Sequence, residues 1–312
     1  MTKTLAVGAY READRAAFTA ELDPVFLTGL DDLQTLDADL CNQVTALAYK
    51  GHTALGAAVM ALLPNLGLIA NFGVGYDAID IDAATARGIR VTNTPDVLND
   101  DVADLAVGMM LCQSRRMMQA SDWARTGKWA AEGEFPLNRK MSGGTAGILG
   151  LGRIGREIAD RLTAFKMEIH YFARSEKETP GWRYHADPVS LARAVDFLVV
   201  SLVGGKETEK FVSSDIIAAL GPQGVLVNIS RGSTVDEAAL LDALQGGQIA
   251  GAALDVFLNE PDIDPRFYAL DNVVIQPHQG SGTVETRAAM AKLQRDNINA
   301  YLAGRALLTA VN

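Results

Sequence analysis

His278 is the candidate acid or base of this chain, which has four histidines in 312 residues. It follows a short apolar run, and the turn Gln279-Gly280-Ser281-Gly282 after it would expose the ring. Of the other three histidines, His52 follows a glycine, His170 lies inside a predicted strand, and His185 lies in the polar stretch W-R-Y-H-A-D. An imidazole at the carboxyl end of a parallel strand is placed to exchange a proton with a substrate. A hydrogen-bonded structural histidine is the alternative.

Two further charged residues could complete a reducing site. Arg231 ends N-I-S-R-G after a buried strand, and its planar guanidinium fits a carboxylate together with a ketone oxygen. Glu260 lies in L-D-V-F-L-N-E-P, and a carboxylate beside an imidazole orients the ring and stabilises its protonated form. Such a pair could donate a proton to a ketone as a hydride arrives.

The segment G-L-G-R-I-G carries the pattern G-x-G-x-x-G at Gly150, Gly152 and Gly155. A predicted strand precedes it and a predicted helix follows, which is the context of a dinucleotide pyrophosphate at a helix N-terminus. A tight turn without a ligand is the alternative. The predicted cofactor contacts in this loop are Gly150, Leu151, Gly152, Arg153, Ile154 and Gly155.

The second strand of this unit favours NADPH over NADH. An NAD site places an acidic residue at the end of that strand, but Glu168 stands at its start and cannot reach the ribose. Arg174 and Ser175 stand at the end, where a guanidinium and a hydroxyl could bind a 2′-phosphate. The alternative is an exposed arginine paired with Glu176 or Glu178.

These residues require a parallel sheet that presents its carboxyl ends on one edge. Short apolar runs closed by Gly, Ser, Asn or Pro alternate with helix-length segments, which predicts an α/β fold. One unit is expected to have a doubly wound parallel sheet of the Rossmann type, and a second, smaller α/β unit is expected to be flavodoxin-like. We expect six strands in the cofactor domain, residues 99–283, and a discontinuous substrate domain formed by residues 1–98 plus 284–312. The predicted strands are 145–149, 168–172, 197–201, 225–229, 251–255 and 273–275, and upstream 3–9, 44–48, 66–71 and 90–92.

Composition limits the possible functions. The formal net charge of −10 argues against nucleic acid as a partner. Cys41 and Cys112 are too few for a disulfide framework or a multi-cysteine metal site and are expected to be small buried hydrophobes. No apolar run approaches the roughly 18 residues of a membrane span. The N-terminus lacks the features of a signal peptide, so a cytoplasmic location is expected.

Taken together, these motifs resemble the D-isomer-specific 2-hydroxyacid dehydrogenase family. The resemblance rests on the glycine loop, N-I-S-R-G, L-D-V-F-L-N-E-P and P-H-Q-G-S-G-T-V-E-T-R, and upstream on N-F-G-V-G-Y-D-A-I-D, G-I-R-V-T-N-T-P and D-D-V-A-D-L-A-V. The A-R-S after the second strand and the G-S-G-T-V-E-T-R ending are most similar to NADPH-dependent glyoxylate/hydroxypyruvate reductases and the related hydroxyphenylpyruvate reductases.

The resemblance implies a role for each site residue. His278 would be the acid/base, Glu260 its partner and Arg231 the anchor that polarises the substrate carbonyl, while the backbone at Val74 and Gly75 would cradle the substrate carboxylate. The further cofactor contacts would be Asp255 at the nicotinamide carboxamide, and Thr208, Ile229 and Gly280. Relatives carry L-T-P-E-T where this chain has V-G-G-K-E-T, so the loop before Thr208 is expected to be more mobile.

The resemblance also implies a homodimer joined through the cofactor domain, in which Trp129 could reach the partner's active site or simply pack. The expected function is NADPH-dependent reduction of a small 2-keto acid, glyoxylate or hydroxypyruvate first, with no metal. Reduction of bulkier aryl pyruvates is the enzymatic alternative. A dinucleotide-sensing regulator on the same fold is the alternative of another class.

Overall fold

The computed structural model describes residues 3–312, which form two compact units. Of the described residues, the smaller unit comprises 3–98 together with 283–312, and the larger comprises 99–282. Both are α/β units, as the sequence predicts. Within the described residues no helix is both long and apolar enough to span a membrane.

The smaller unit is built on a five-stranded parallel sheet of order β2-β1-β3-β4-β5. This is the flavodoxin-like order, in which the chain changes direction between the first and third strands. Its strands are β1 Lys3–Val7, β2 Val25–Leu27, β3 Val44–Tyr49, β4 Leu68–Asn71 and β5 Arg90–Thr92. Its helices are α1 Glu12–Leu22, α2 Ala38–Gln43, α3 Ala57–Met60, α4 Ile81–Ala86 and α12 Val284–Leu302.

The C-terminal helix α12 completes this unit by packing on its sheet. Gln294 is 1% exposed, and its amide donates to the carbonyls of Ala70 at 2.7 Å and Tyr49 at 3.3 Å. The Tyr10 hydroxyl donates back to the Gln294 side-chain oxygen at 3.2 Å. A buried amide is stable only with its hydrogen bonds made, so these contacts fix the helix in register on β3 and β4.

The larger unit contains a seven-stranded parallel sheet of order β12-β11-β10-β9-β6-β7-β8. Its strands are β6 Thr145–Leu149, β7 Glu168–Phe172, β8 Arg183–His185, β9 Phe197–Val200, β10 Val225–Asn228, β11 Gly251–Leu254 and β12 Val273–Ile275. Its helices are α5 Asn99–Arg115, α6 Met117–Arg125, α7 Lys128–Glu132, α8 Arg153–Ala164, α9 Pro188–Arg193, α10 Ser214–Leu220 and α11 Glu237–Gln245. The central strands β9, β10 and β11 are buried along their whole length. Helices therefore cover both faces, which confirms the doubly wound fold.

Two strands lie outside the sequence prediction. Both β2 and β8 are three-residue edge strands, too short for a period of two to show. The expected six strands of the larger sheet are therefore seven, and the polar stretch around His185 contains the additional strand β8. Cys41 is buried as expected, but Cys112 is partly exposed.

Candidate functional site

Three predicted site residues follow three neighbouring strands of the larger sheet. Arg231 comes after β10, Asp255 directly after β11 and His278 after β12. These strands are adjacent and parallel, so their carboxyl ends lie on the same edge of the sheet. The structure thus brings these residues to the edge where ligands of open α/β sheets bind.

His278 and Glu260 form a direct pair. The His278 Nδ1 and Glu260 Oε2 atoms are 2.6 Å apart, and the two side chains are 29% and 24% exposed. The second carboxylate oxygen, Oε1, accepts the backbone N–H of Phe257 at 2.8 Å. A carboxylate held at Nδ1 requires Nδ1 to carry the hydrogen, which leaves Nε2 as the nitrogen that can exchange a proton with a substrate.

Asp255 holds the backbone that carries His278. Its carbonyl accepts the His278 N–H at 2.9 Å, and its carboxylate oxygens accept the N–H groups of Gln279 and Gly280, each at 2.8 Å. His278 has φ of 51°, a left-handed conformation that costs a non-glycine residue about 1–2 kcal/mol. Three hydrogen bonds to one residue offset that cost. Burial raises the pKa of Asp255, while the two amide donors oppose the rise.

The loop bearing Glu260 is fixed by Glu237, a residue absent from the sequence prediction. Glu237 lies in the first turn of α11, and its Oε2 accepts the Leu258 N–H at 2.9 Å. Burial raises the pKa of Glu237, and the nearby Glu260 adds to the rise. In the sequence, V-D-E-A-A-L indicates only an acidic helix start, so the contact with a distant loop could not be predicted.

Arg231 is tied to the same loop through the next residue. A Cβ on Gly232 would lie 2.0 Å from the carbonyl carbon of Phe257, so only glycine permits this approach. The Arg231 carbonyl accepts hydrogen bonds from Asn228 Nδ2 at 2.9 Å and Thr234 Oγ1 at 2.7 Å. The Arg231 guanidinium donates from Nη1 to the Ser230 carbonyl at 2.8 Å. A guanidinium presents its donors in a planar fork, a shape that suits a planar anion.

The glycine loop has the geometry of a dinucleotide cradle. Gly150 directly follows β6 with φ of 97°, and a Cβ there would lie 2.8 Å from the Ser201 carbonyl oxygen. A Cβ on Gly155 would lie 2.3 Å from the Gly150 carbonyl oxygen, so this glycine lets α8 approach the turn. Nothing lies within 4 Å of a Cβ on Gly152, the N-cap of α8, which leaves room for a ligand against the backbone. The loop lies between β6 and β9, where the strand order reverses, so its residues fit a dinucleotide.

The end of β7 carries no carboxylate. Glu168 is the first residue of β7, and its Oε1 lies 3.0 Å from His170 Nε2, at the end of the strand away from the glycine loop. Arg174 and Ser175 follow the strand and are exposed. Within residues 3–312 no ion pair joins Arg174 to Glu176 or Glu178. The surroundings of Arg174 therefore suit an anionic ligand.

The remaining predicted cofactor contacts lie on the same edge. Ile229 follows β10 and is 8% exposed, and Gly280 lies against the Asp255 carboxylate. Thr208 ends a short 3-10 helix, and its hydroxyl donates to the carbonyl of Val203 at 2.6 Å. Leu151 is buried, whereas Arg153 is exposed and Ile154 is partly exposed.

In the smaller unit, the loop containing Val74 and Gly75 exposes amides rather than carbonyls. Asn71 Nδ2 donates to the carbonyls of Gly73 at 3.2 Å and Gly75 at 2.9 Å, and Asn93 Nδ2 donates to the Val74 carbonyl at 2.9 Å. Within residues 3–312 the N–H groups of Val74 and Gly75 donate no hydrogen bond. Side chains therefore hold the carbonyls of this loop. Two ordered free amides can bind a carboxylate.

The other strand-borne histidines form a separate cluster. His170 Nδ1 lies 2.9 Å from His185 Nε2, and the rings stack at 5.1 Å. His185 Nδ1 lies 3.2 Å from Ser190 Oγ. Burial lowers the pKa of His185, and the neighbouring His170 and Arg183 lower it further. These histidines join β7, β8 and α9 and are not part of the candidate site.

Comparison with known proteins yields one family and many relatives. A family model described as "D-isomer specific 2-hydroxyacid dehydrogenase, NAD binding domain" matches residues 107–280. The chain is 46% identical over 270 residues to glyoxylate/hydroxypyruvate reductase A HPR2 of Arabidopsis thaliana, a match that covers 86% of each chain. It is 44% identical over 268 residues to hydroxyphenylpyruvate reductase of Plectranthus scutellarioides, covering 86% of this chain and 85% of the relative.

A solved structure matches over the whole chain. The NADPH-dependent glyoxylate/hydroxypyruvate reductase of Sinorhizobium meliloti, in complex with NADP and malonate, superposes with a TM-score of 0.94 at 43% identity. The match covers 100% of this chain and 97% of the other.

Proposed function

This chain belongs to the D-isomer specific 2-hydroxyacid dehydrogenase family, and on that premise we propose that it reduces glyoxylate and hydroxypyruvate to 2-hydroxy acids with NADPH. Membership makes it an oxidoreductase acting on 2-keto acids and confirms the resemblance read from the motifs. The observation that carries the proposal is the 2.6 Å contact between His278 and Glu260, on a sheet edge shared with Arg231 and Asp255.

Each catalytic residue has a defined part. The bound cofactor supplies the hydride. His278 donates the proton to the ketone oxygen from Nε2, while Glu260 keeps its hydrogen bond at Nδ1 and balances the imidazolium charge before transfer. Arg231 binds the substrate carboxylate and ketone oxygen and polarises the carbonyl. In the smaller unit, the amides of Val74 and Gly75 are the proposed donors to a substrate carboxylate.

NADPH is the proposed cofactor because Arg174 and Ser175 follow the end of β7, and the only carboxylate within that strand, Glu168, stands at its other end. A guanidinium can bind a 2′-phosphate in two hydrogen bonds, and a carboxylate at this position would repel it. The amides at the start of α8 would hold the pyrophosphate, since the first N–H groups of a helix have no acceptor within the helix. The proposed contacts at Asp255, Thr208, Ile229 and Gly280 would orient the nicotinamide end.

We also propose that the protein is a homodimer joined through the larger unit. Helices α6 and α7 contain no buried residue, although they carry large apolar side chains. Met117, Met118 and Trp129 are 50%, 61% and 67% exposed, and Leu137 beyond α7 is 99% exposed. Helices of nine and five residues need packing to be stable in water, and a second copy of the chain would supply it. Light scattering should give twice the 33.2 kDa chain mass, and Met118→Glu should give the monomer mass.

Initial rates over three substrates and two cofactors test the proposed function. Glyoxylate, hydroxypyruvate and 4-hydroxyphenylpyruvate are each assayed with NADPH and with NADH. The proposal predicts that glyoxylate and hydroxypyruvate with NADPH give the highest kcat/KM. A clear preference for 4-hydroxyphenylpyruvate would select the alternative that the Plectranthus relative supports. Binding of NADPH without reduction of any keto acid would support a dinucleotide sensor instead.

A further inference from the structure

The loop between β7 and β8, residues 173–182, contains no helix or strand and carries the proposed contacts to the cofactor 2′-phosphate. Arg174 and Ser175 lie near its start, and every residue from 174 to 178 is exposed. Exposed loops are usually mobile, and a mobile arginine loses conformational entropy when it binds an anion. The affinity for a 2′-phosphate therefore depends on how this loop is held.

One buried hydroxyl fixes the middle of the loop. Tyr171 lies in β7 and is 0% exposed, and its hydroxyl accepts the Lys177 N–H at 2.8 Å and donates to the Lys177 carbonyl at 3.0 Å. A phenol can do both because its oxygen donates one hydrogen and accepts others. Phenylalanine would fill the same space but leave the backbone of Lys177 without these two bonds.

The glycine loop fixes the start of the same loop. The Gly150 N–H donates to the Phe172 carbonyl at 3.0 Å, which ties the end of β7 to the turn proposed to hold the pyrophosphate. Only residues 173–176 separate Phe172 from Lys177, so Arg174 lies on a short segment between two fixed points. Its backbone therefore has a defined position relative to the glycine loop.

Two further side chains attach the loop to its surroundings. Arg156 lies in α8, and its Nη2 donates to the Glu178 carbonyl at 2.7 Å. Tyr184 in β8 adds a longer contact from its hydroxyl to the Ala173 carbonyl, at 3.4 Å. Its ring also packs on that of Tyr171, with centroids 5.4 Å apart. The loop is thus attached to β7, β8 and α8.

We propose that Tyr171 and Arg156 are positioning residues that hold Arg174 in place for the cofactor 2′-phosphate and so set the preference for NADPH over NADH. Both act through the loop backbone, at Lys177 and Glu178. Because only NADPH carries the phosphate, loss of these attachments should weaken the use of NADPH and leave that of NADH nearly unchanged. This inference rests on the proposed function, which assigns the 2′-phosphate to Arg174.

The first measurement compares kcat/KM for NADPH with kcat/KM for NADH at saturating glyoxylate in Tyr171→Phe. Ordering a free side chain on binding weakens affinity by about two- to tenfold, so the ratio of the two values should fall at least about threefold from that of the wild type. Both values come from one preparation. A lower content of folded protein therefore changes them equally and leaves their ratio as it is.

A double-mutant cycle shows whether Tyr171 acts through Arg174. In the Arg174→Ala background, Tyr171→Phe should change the ratio by less than about twofold, since the contact that it positions is already lost. Equal effects in both backgrounds would contradict a positioning role. Tyr49→Phe is the matched control, because Tyr49 is also a buried strand tyrosine whose hydroxyl donates to a loop carbonyl, that of Thr53. The control should keep the wild-type ratio.

Calorimetric titration with adenosine 2′,5′-bisphosphate and with 5′-AMP gives a second measurement, which needs no turnover. The two probes differ only in the 2′-phosphate. A wild-type preference for the bisphosphate that falls at least about threefold in Tyr171→Phe supports the inference even if no keto acid is reduced. In that case the proposed reaction fails by itself.

Failure of the inference and failure of the proposed cofactor contact give different results. If the wild type does not prefer NADPH, or Arg174→Ala keeps that preference, the 2′-phosphate contact fails and the inference fails with it. If Arg174→Ala removes the preference but Tyr171→Phe lowers the ratio less than about threefold, the inference alone is overturned. Should Tyr171→Phe not fold, Arg156→Ala decides by the same criterion, because Arg156 is only partly buried and is attached to the next residue of the loop.

Discussion

Replacing Glu260 by Gln should disable proton donation without removing the side chain. One carboxylate oxygen faces His278 Nδ1 at 2.6 Å, and the other accepts the Phe257 N–H at 2.8 Å. An amide has only one oxygen, so its NH₂ group must face one of these donors. A hydrogen bond to a charged group contributes about 1.5–3 kcal/mol, and each 1.36 kcal/mol changes a rate about tenfold. We expect kcat to fall about 10- to 150-fold.

The assay is glyoxylate reduction at saturating NADPH, followed by the loss of absorbance at the nicotinamide band. Asp262→Asn is the matched control, since this exposed carboxylate lies two residues further along the same loop. The control should keep kcat within about twofold of the wild type. A Glu260→Gln variant that also stays within about twofold would refute the role assigned to the pair.

Three further predictions concern single residues. Arg174→Ala should raise KM for NADPH about tenfold while changing KM for NADH little. Equal changes in the two KM values would contradict the role of Arg174 in binding the 2′-phosphate. Glu237→Ala leaves the Leu258 N–H without its acceptor and should lower the free energy of unfolding by about 1–3 kcal/mol, whereas Glu237→Gln should recover most of the loss in urea titrations. The pKa of His185 is lowered in the folded state, so near and below about pH 6.5 the unfolded chain binds more protons than the folded chain. The free energy of unfolding should therefore fall as the pH drops below about 6.5. His185→Gln should show a smaller change in urea midpoint between pH 7.5 and 5.5 than the wild type.

The strands that carry the site could be predicted from the sequence because each is an apolar, β-branched run with a clear stop. The strands 145–149, 168–172 and 273–275 have the predicted bounds, and 197–201, 225–229 and 251–255 end one residue earlier than predicted. Once the last residue of each strand is predicted, the residues that follow it are known to lie at the carboxyl edge of the parallel sheet. For this reason the order of the motifs was enough to bring Arg231, Asp255 and His278 to one edge.

The residues that support the site could not be predicted, since their partners are distant in the sequence. Glu237 contacts a loop 21 residues away, and Asn93 donates to the Val74 carbonyl 19 residues away. Asn71 was assigned to a strand, and only the structure shows that its side chain orients the loop at Val74. Such contacts depend on how loops meet at the sheet edge, which hydrophobic periodicity does not encode.

The most direct test of the central claim is kcat/KM for glyoxylate with NADPH in the His278→Gln variant. Glutamine cannot transfer a proton, so loss of general acid catalysis should lower this value by at least about 100-fold, with NADPH binding by fluorescence close to that of the wild type. Retention of kcat/KM within about tenfold, with the same NADPH affinity, would contradict His278 as the proton donor and with it the proposed mechanism.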